Sequence, residues 1–207
     1  MSGCCHHDHP EVFDGMSSGF RRALWAVIII NAVMFVVEMT AGRLANSQAM
    51  QADALDFAGD AATYFLSFIV LGKSLKTRAT AAMIKGISLA LLGLWVFGST
   101  VWQVFILGLP EAAIMGWIGG LALAANLVSV LILMKYRDGD SNVRSVWLCS
   151  RNDAIGNIAV IAAAGLVIAT GTAWPDLVVA GIMACLFLSS AFQIIRQAQG
   201  EMRSAEN

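Results

Sequence analysis

Residues 20–40 read FRRALWAVIIINAVMFVVEMT, an apolar stretch long enough to cross a lipid bilayer as a single helix. Similar stretches of about 20 residues recur along the whole chain. They predict an all-α fold, a transmembrane bundle of six helices with short connections. The expected spans are Phe20–Thr40, Ser47–Gly72, Ala79–Phe105, Glu111–Tyr136, Asn142–Thr170 and Trp174–Ile195.

The composition supports lipid as the solvent of this protein. The chain of 207 residues is 58% hydrophobic and only 13% charged, against about 25% charged residues in soluble domains. Its net charge of -1 gives no sign of a nucleic-acid partner. The N-terminus lacks the basic and then apolar pattern of a cleaved signal peptide. We therefore expect an integral membrane protein, most naturally of a bacterial inner membrane, with the lipid bilayer as its surroundings.

Basic residues alternate between the two ends of the predicted helices. One set of ends carries Arg21, Arg22, Lys73, Lys76, Arg78, Lys85, Lys135, Arg137, Arg144, Arg196 and Arg203, and the opposite loops carry only Arg43. Because cytoplasmic loops are enriched in Lys and Arg, this bias places both termini in the cytoplasm. The predicted organisation is a cytoplasmic tail at 1–19, the transmembrane domain at 20–197 and a short cytoplasmic tail at 198–207.

The second predicted span contains three carboxylates on one face. Asp53, Asp56 and Asp60 are offset by three and seven residues, which places them in one narrow stripe of a helix. Charged groups that face lipid cost several kcal/mol each, so these side chains must meet a partner, water or a cation. A structural polar network is the alternative for the set. Asp53 alone could instead lie near the outer interface in contact with water.

The fifth predicted span has a second polar face, formed by Cys149, Asn152, Asp153 and Asn157. Cys149 and Asp153 are one turn apart, and Asp56 and Asp60 have the same spacing in the second span. Two such helices facing each other could enclose one ion with four side chains, a number that suits tetrahedral Zn²⁺. A thiolate ligand favours borderline metals over Mg²⁺ or Ca²⁺. Cys149 could also be a small buried hydrophobe, in which case Asn152 competes as the fourth ligand.

Other polar groups have more open interpretations. Glu38 and Asn126 could support the ligands or link helices by hydrogen bonds, and we favour the second role for Asn126. Asp53, Asn152, Asn157 and Glu38 could each be an additional ligand or a group that supports the ligands. Gly116 and Gly120 have the spacing of a close helix contact. Near the N-terminus, Cys4, Cys5, His6, His7 and His9 could capture metal on a cytoplasmic tether, or could have no function.

The motifs resemble those of the cation diffusion facilitator family. The run Glu38-x3-Gly42-x4-Ser47, followed by Ala52-Asp53-Ala54 and Asp56-x3-Asp60, is similar to that family's first two helices, and Cys149-x3-Asp153-x3-Asn157 is similar to its fifth. The likeness extends from about Phe20 to Gln197. It implies a metal site formed by Asp56, Asp60, Cys149 and Asp153. The family commonly has His at the position of Cys149, and most members carry a C-terminal cytoplasmic domain that this sequence lacks.

The predicted function is therefore efflux of a divalent metal cation in exchange for protons, by alternating access. Zn²⁺ is the expected substrate, with Cd²⁺, Co²⁺, Fe²⁺ and Mn²⁺ as further options, and no organic cofactor or enzymatic activity is expected. A homodimer is also an option. The main alternative is a metal-binding membrane subunit that does not transport by itself. A membrane hydrolase based on two aspartates, or a carrier of protonated organic solutes, is a weaker alternative.

Overall fold

The structure is a computed structural model that describes residues 18–70, 75–106, 108–134 and 141–204. Within these ranges, the side chains at 18, 67, 70, 75, 78, 141–152 and 204 are outside the description. The described residues form six helices: α1 (Ser18–Leu44), α2 (Gln48–Val70), α3 (Leu75–Ile106), α4 (Ala112–Met134), α5 (Ser141–Thr170) and α6 (Trp174–Ser204). This confirms the predicted all-α fold of six helices.

The helices form a bundle in which α2 takes a central position. The most extensive pairings are α3 with α6, α1 with α2, and α4 with α5. In addition, α2 contacts α3, α5 and α6, and α1 contacts α4. The residues of α2 are therefore surrounded by protein on several sides, which allows its aspartates to be kept away from lipid.

In the part of the chain that the structure describes, five helices are long and apolar enough to cross a membrane: α1, α3, α4, α5 and α6. The exception is α2. Any stretch of 18 residues within this 23-residue helix contains Asp53, Asp56 and Asp60, which is more charge than an apolar span carries. At 1.5 Å per residue α2 is still about 34 Å long, enough to span the hydrocarbon core. Large apolar side chains such as Trp117 and Phe105 are exposed on the outside of the bundle. These surfaces are suited to lipid contact.

The ends of some helices differ from the sequence prediction. The last helix continues nine residues beyond the predicted end at Ile195, to Ser204. Along this extension Gln197 Nε2 donates to Glu201 Oε1 over 2.9 Å, a contact between residues one helical turn apart. The length of an apolar run indicates only the part of a helix that lies in lipid. Polar pairs such as this one allow the helix to continue beyond the apolar run.

The connection between α1 and α2 is tight and well defined. Asn46 adopts a left-handed backbone conformation with φ of 53°, and Ser47 N donates to Gly42 O over 2.9 Å. A Cβ atom at Gly42 would lie only 3.1 Å from Gln51 N and from Met50 Cβ. Gly42 therefore allows the end of α1 to lie directly against the first turn of α2. The motif residues Gly42 and Ser47 both serve this turn.

Glycines also mark close contacts elsewhere in the bundle. On α3, a Cβ at Gly93 would lie 3.1 Å from Leu188 and Phe187 of α6. On α4, a Cβ at Gly119 would lie 3.1 Å from Ile161 Cγ1 of α5. The predicted pair, Gly116 and Gly120, has no described neighbour within 4 Å of its Cβ positions. The close contact between α4 and α5 is thus at Gly119, which lies on a different face of α4 from Gly116 and Gly120.

Candidate metal site

The aspartates of α2 face the inside of the bundle. Asp53 is fully buried, with 1% of its surface exposed, and Asp56 and Asp60 are partly buried. The alternative in which Asp53 lies in water at the interface does not hold. All three side chains line one pocket, as their spacing on the helix predicts.

Asp153 of α5 meets two of these aspartates. Its carboxyl group lies at hydrogen-bonding distance from the carboxyl groups of both Asp56 and Asp60. The two helices contact each other, so the predicted convergence of acidic groups from α2 and α5 is present. Three carboxyl groups this close together repel one another strongly unless protons or a cation lie between them.

The pocket around these groups is narrow and leaves no room for a water molecule. Its remaining walls are formed by Asn31 of α1, Phe57 of α2 and Asn126 of α4. Asn31 Nδ2 donates to Val27 O over 2.8 Å. Asn126 lines the pocket. The sequence alone favoured a role for Asn126 as a hydrogen-bonded link between helices. The pocket thus receives polar side chains from four helices.

Two neighbours act on Asp60 from the other side. Tyr64, one turn further along α2, donates its hydroxyl to Asp60 Oδ2 over 2.7 Å. The ammonium group of Lys85 on α3 attracts the same carboxylate electrostatically. These contacts orient Asp60 and compensate part of its charge.

The carboxyl groups contact one another in pairs rather than surrounding one central point. Among the residues with described side chains, no three His, Cys, Asp or Glu side chains are arranged to hold one metal ion. Hydrogen-bonded oxygens lie about 2.5–3.0 Å apart, whereas the ligand oxygens of a tetrahedral Zn²⁺ lie roughly 3.4 Å apart. Metal binding among Asp56, Asp60 and Asp153 therefore requires a small separation of the three groups.

Several predicted ligands are outside the described residues. These are the side chains of Cys149 and Asn152 on α5, and the N-terminal residues Cys4, Cys5, His6, His7 and His9. Cys185 of α6 is a free thiol on the exposed surface. The fourth ligand of a site based on Asp56, Asp60 and Asp153 therefore stays a prediction.

Glu38 and Asn157 lie near the site but do not line its pocket. The carboxyl group of Glu38 interacts directly with that of Asp53, which places the first and second helices in contact through two acids. Asn157 follows Asp153 by one turn on α5 and is completely buried. Both residues were expected as additional or supporting groups of one site.

Sequence reasoning missed two neighbours of the site, Asn31 and Tyr64, and one buried structural acid, Asp176. Tyr64 could have been found from its position four residues after Asp60. Asn31 is a single amide in an apolar span, a pattern that also fits a simple hydrogen bond to the backbone. Asp176 acts on α2 across 127 or more residues of sequence, a distance for which a single sequence offers no signal.

Comparison with known families defines the class of this protein. Residues 24–201 match the cation efflux transmembrane domain, which includes all six helices and the acidic pocket. The chain belongs to the cation efflux family and is an integral membrane protein. The resemblance to cation diffusion facilitators is thereby confirmed.

Individual relatives are bacterial transporters of metal ions. The chain is 27% identical to the zinc transporter ZitB of Pectobacterium atrosepticum, over 95% of this chain and 64% of that protein. It is 26% identical to the cadmium, cobalt and zinc/H(+)-K(+) antiporter of Bacillus subtilis, over 93% and 64%. It is 24% identical to the metal cation efflux system protein CzcD of Cupriavidus metallidurans, over 93% and 62%. The chain thus spans somewhat under two thirds of the length of these relatives, which are named as transporters and not as enzymes.

Proposed function

We propose that this protein exports a divalent metal cation across a bacterial inner membrane in exchange for protons, with Zn²⁺ as the principal substrate. The observation that carries this proposal is the meeting of Asp56 and Asp60 of α2 with Asp153 of α5 in a pocket inside the bundle. The names of the relatives, which refer to zinc, cadmium and cobalt, support this class of substrate.

The pocket offers the ligand chemistry of a divalent cation. Three carboxyl groups supply oxygen ligands, and Cys149, one turn before Asp153, would add a thiolate. A mixed set of oxygen and sulfur ligands favours Zn²⁺ and Cd²⁺ over Mg²⁺ and Ca²⁺. Asn31 and Asn126, in the wall, can donate hydrogen bonds to carboxylate oxygens that the ion does not use.

Exchange of metal for protons follows from the crowding of these acids. Carboxyl groups in contact cannot all carry a negative charge without a cation between them. Protons at Asp56, Asp60 and Asp153 can satisfy this need, and so can one divalent ion. Since a ligand binds metal only in its deprotonated form, each bound ion displaces protons. The same pocket therefore alternates between a metal-loaded and a protonated form.

Charge compensation also explains how the loaded bundle could change conformation. A pocket with several uncompensated anions is costly to close off from water. With Zn²⁺ or protons bound, the pocket is close to neutral, and the bundle can open towards either side in turn. The central α2, which contacts α1, α3, α5 and α6, is the element on which such a movement would depend.

The test is Zn²⁺ uptake into inverted membrane vesicles under a proton gradient that is acidic inside. The wild-type chain should accumulate Zn²⁺, and uptake should stop when the gradient is collapsed. Asp60→Asn and Asp153→Asn should abolish uptake, because each removes an anionic ligand at nearly unchanged volume. Glu111→Gln is the matched control, since Glu111 is exposed and distant in sequence from the pocket.

Protein levels in the vesicles must be equal for the wild type and the three variants. Transport by Asp60→Asn and Asp153→Asn at the wild-type rate would contradict the proposal. Uptake that persists without a proton gradient would contradict the exchange but leave metal transport in place. Absence of uptake by the wild-type chain, together with retained Zn²⁺ binding, would favour the alternative of a metal-binding subunit.

A further inference from the structure

The pocket wall includes one acid that the proposed transport site does not use as a ligand, Asp53, and a second acid, Glu38, pairs with it. Glu38 of α1 has no exposed surface, and its carboxyl group interacts directly with that of Asp53 of α2. Neither oxygen of Glu38 receives a hydrogen bond, and neither does Asp53 Oδ2. Apart from a proton that the two carboxyl groups can share, three oxygen atoms of this buried pair lack a donor, which is costly unless something positive binds them.

A third buried polar group lies on the same level of the bundle. The side chain of Asn157 has no exposed surface, and neither its Oδ1 nor its Nδ2 has a hydrogen-bond partner. A Cβ atom on the preceding residue, Gly156, would lie 3.9 Å from Asp53 Oδ1. This part of α5 therefore passes directly beside Asp53, and Asn157 follows Asp153 by one turn on nearly the same helix face.

We propose that Glu38, Asp53 and Asn157 form a second subsite for a divalent cation, one helical turn from the pocket of Asp56, Asp60 and Asp153. It lies towards the α1–α2 turn, because Asp53 precedes Asp56 on α2 and Asn157 follows Asp153 on the antiparallel α5. The subsite rests on the proposed function, and it adds a second position for the substrate on its path through the bundle.

The unused atoms favour a metal cation over a purely structural contact. A structural network of buried polar groups normally satisfies its donors and acceptors. A proton shared between Glu38 and Asp53 would satisfy one pair of oxygens and leave the amide of Asn157 without a partner. A cation could be bound by both oxygens of Glu38, by Asp53 Oδ2 and by Asn157 Oδ1, which leaves only Asn157 Nδ2 without a partner. All four candidate ligands are oxygens, which suits harder divalent ions such as Mn²⁺ better than a site with a thiolate does.

Mn²⁺ is therefore the probe, and electron paramagnetic resonance can count the bound ions on the purified full chain in detergent. The wild type should bind one more Mn²⁺ than Glu38→Gln and one more than Asp153→Asn. The double variant should lose both ions. Glu111→Gln, at an exposed position, should bind as many as the wild type. Thermal unfolding of each variant in the same detergent shows whether it is folded.

Asn157→Ala gives a second, milder test, because it removes a neutral oxygen and no charge. It should weaken the binding of one Mn²⁺ by about tenfold or more and leave the other unchanged. If Glu38→Gln does not fold, this variant decides the question. Unchanged Mn²⁺ binding in folded Glu38→Gln or in Asn157→Ala would reject the subsite, and the acidic pair would then hold a shared proton.

The outcomes separate this subsite from the proposed function. Loss of one Mn²⁺ in Glu38→Gln, combined with failure of Zn²⁺ uptake by the wild type, would support the subsite and reject the transport proposal. Zn²⁺ uptake by the wild type, combined with unchanged Mn²⁺ binding in Glu38→Gln, would support the transport proposal and reject the subsite. A wild type that binds no Mn²⁺ would also reject the subsite.

Discussion

Two buried acidic regions of this bundle differ in how their oxygens are used. Asp176, near the start of α6, is 1% exposed and accepts three hydrogen bonds, from Ser47 Oγ at 2.6 Å, Gln48 N at 2.7 Å and Ala49 N at 3.2 Å. Asp53 of α2 is equally buried, but its Oδ2 has no donor and its carboxyl group faces that of Glu38. Both residues are buried aspartates, but Asp176 is surrounded by hydrogen-bond donors and Asp53 faces another acid.

The difference separates a structural acid from an acid that we propose to bind a cation. The amide donors around Asp176 belong to the first turn of α2, where free N–H groups and the helix dipole favour a negative charge. Asp176 therefore attaches the start of α2 to α6. The acids around Asp53, Asp56 and Asp153 have one another as neighbours, so their charge needs a proton or a metal ion. Burial alone does not distinguish the structural acid from the proposed cation ligand. The number of hydrogen-bond donors around the carboxyl group does distinguish Asp176 from Asp53.

The largest expected effect is in the proposed cation-binding region. Asp153→Asn should lower the affinity for Zn²⁺ by at least about 100-fold, because a direct ligand should matter more than the outer partners of metal sites. The variant should be as stable as the wild type or more stable without metal, since it removes a charge from a crowded buried cluster. Isothermal titration calorimetry and thermal unfolding in detergent measure the two effects. A large loss of metal-free stability would place Asp153 with the structural acids.

Asp176→Ala should lower the stability of the metal-free protein more than it lowers the affinity for Zn²⁺. It leaves the Ser47 hydroxyl and the amides of Gln48 and Ala49 without their acceptor, which should cost about 2 kcal/mol of stability. Zn²⁺ affinity should change less than in Asp153→Asn, because Asp176 is not among the residues that line the pocket. Unfolding of the metal-free protein measures this cost. An unaltered unfolding temperature would refute the structural assignment of Asp176.

Tyr64→Phe probes the boundary between the two kinds of acid. Asp60 lines the pocket, yet it receives a hydrogen bond from the Tyr64 hydroxyl over 2.7 Å. Loss of an outer hydrogen bond that orients a ligand should weaken Zn²⁺ binding by about tenfold. Calorimetric titration of Tyr64→Phe beside the wild type gives this ratio. Equal affinities would show that the Tyr64 hydroxyl does not orient Asp60 for binding.

The smallest effect is expected for Ser47→Ala at the start of α2. The hydroxyl of Ser47 accepts from Met50 N over 3.1 Å and donates to Asp176 Oδ1. Its loss removes a helix cap and should cost about 1 kcal/mol of stability, while Asp176 keeps both amide contacts. The comparison of Ser47→Ala with Asp176→Ala by thermal unfolding orders the two contributions. A larger loss in Ser47→Ala would show that the cap, and not the contact to α6, fixes this turn.

Much of the fold follows from local patterns in the sequence. The apolar runs predict all six helices, since helix length and hydropathy are local properties that the bilayer thickness constrains. The spacing of Asp53, Asp56 and Asp60 predicts a common face for the same reason. The end of α6 and the glycine used in the α4–α5 contact were not predicted correctly. Both depend on polar surroundings and on a neighbouring helix that the local pattern does not contain.

By itself, the sequence determined that this is a helical membrane protein, that α2 carries an acidic stripe and that α5 offers a matching face. Only the tertiary structure decided which acids meet. It brought Asp153 to Asp56 and Asp60, paired Glu38 with Asp53, and gave Asp176 its three donors at the start of α2. The physical reason is that the charge of a buried carboxylate is set by the groups within a few ångströms of its oxygens. Those groups come from helices that are far apart in the chain.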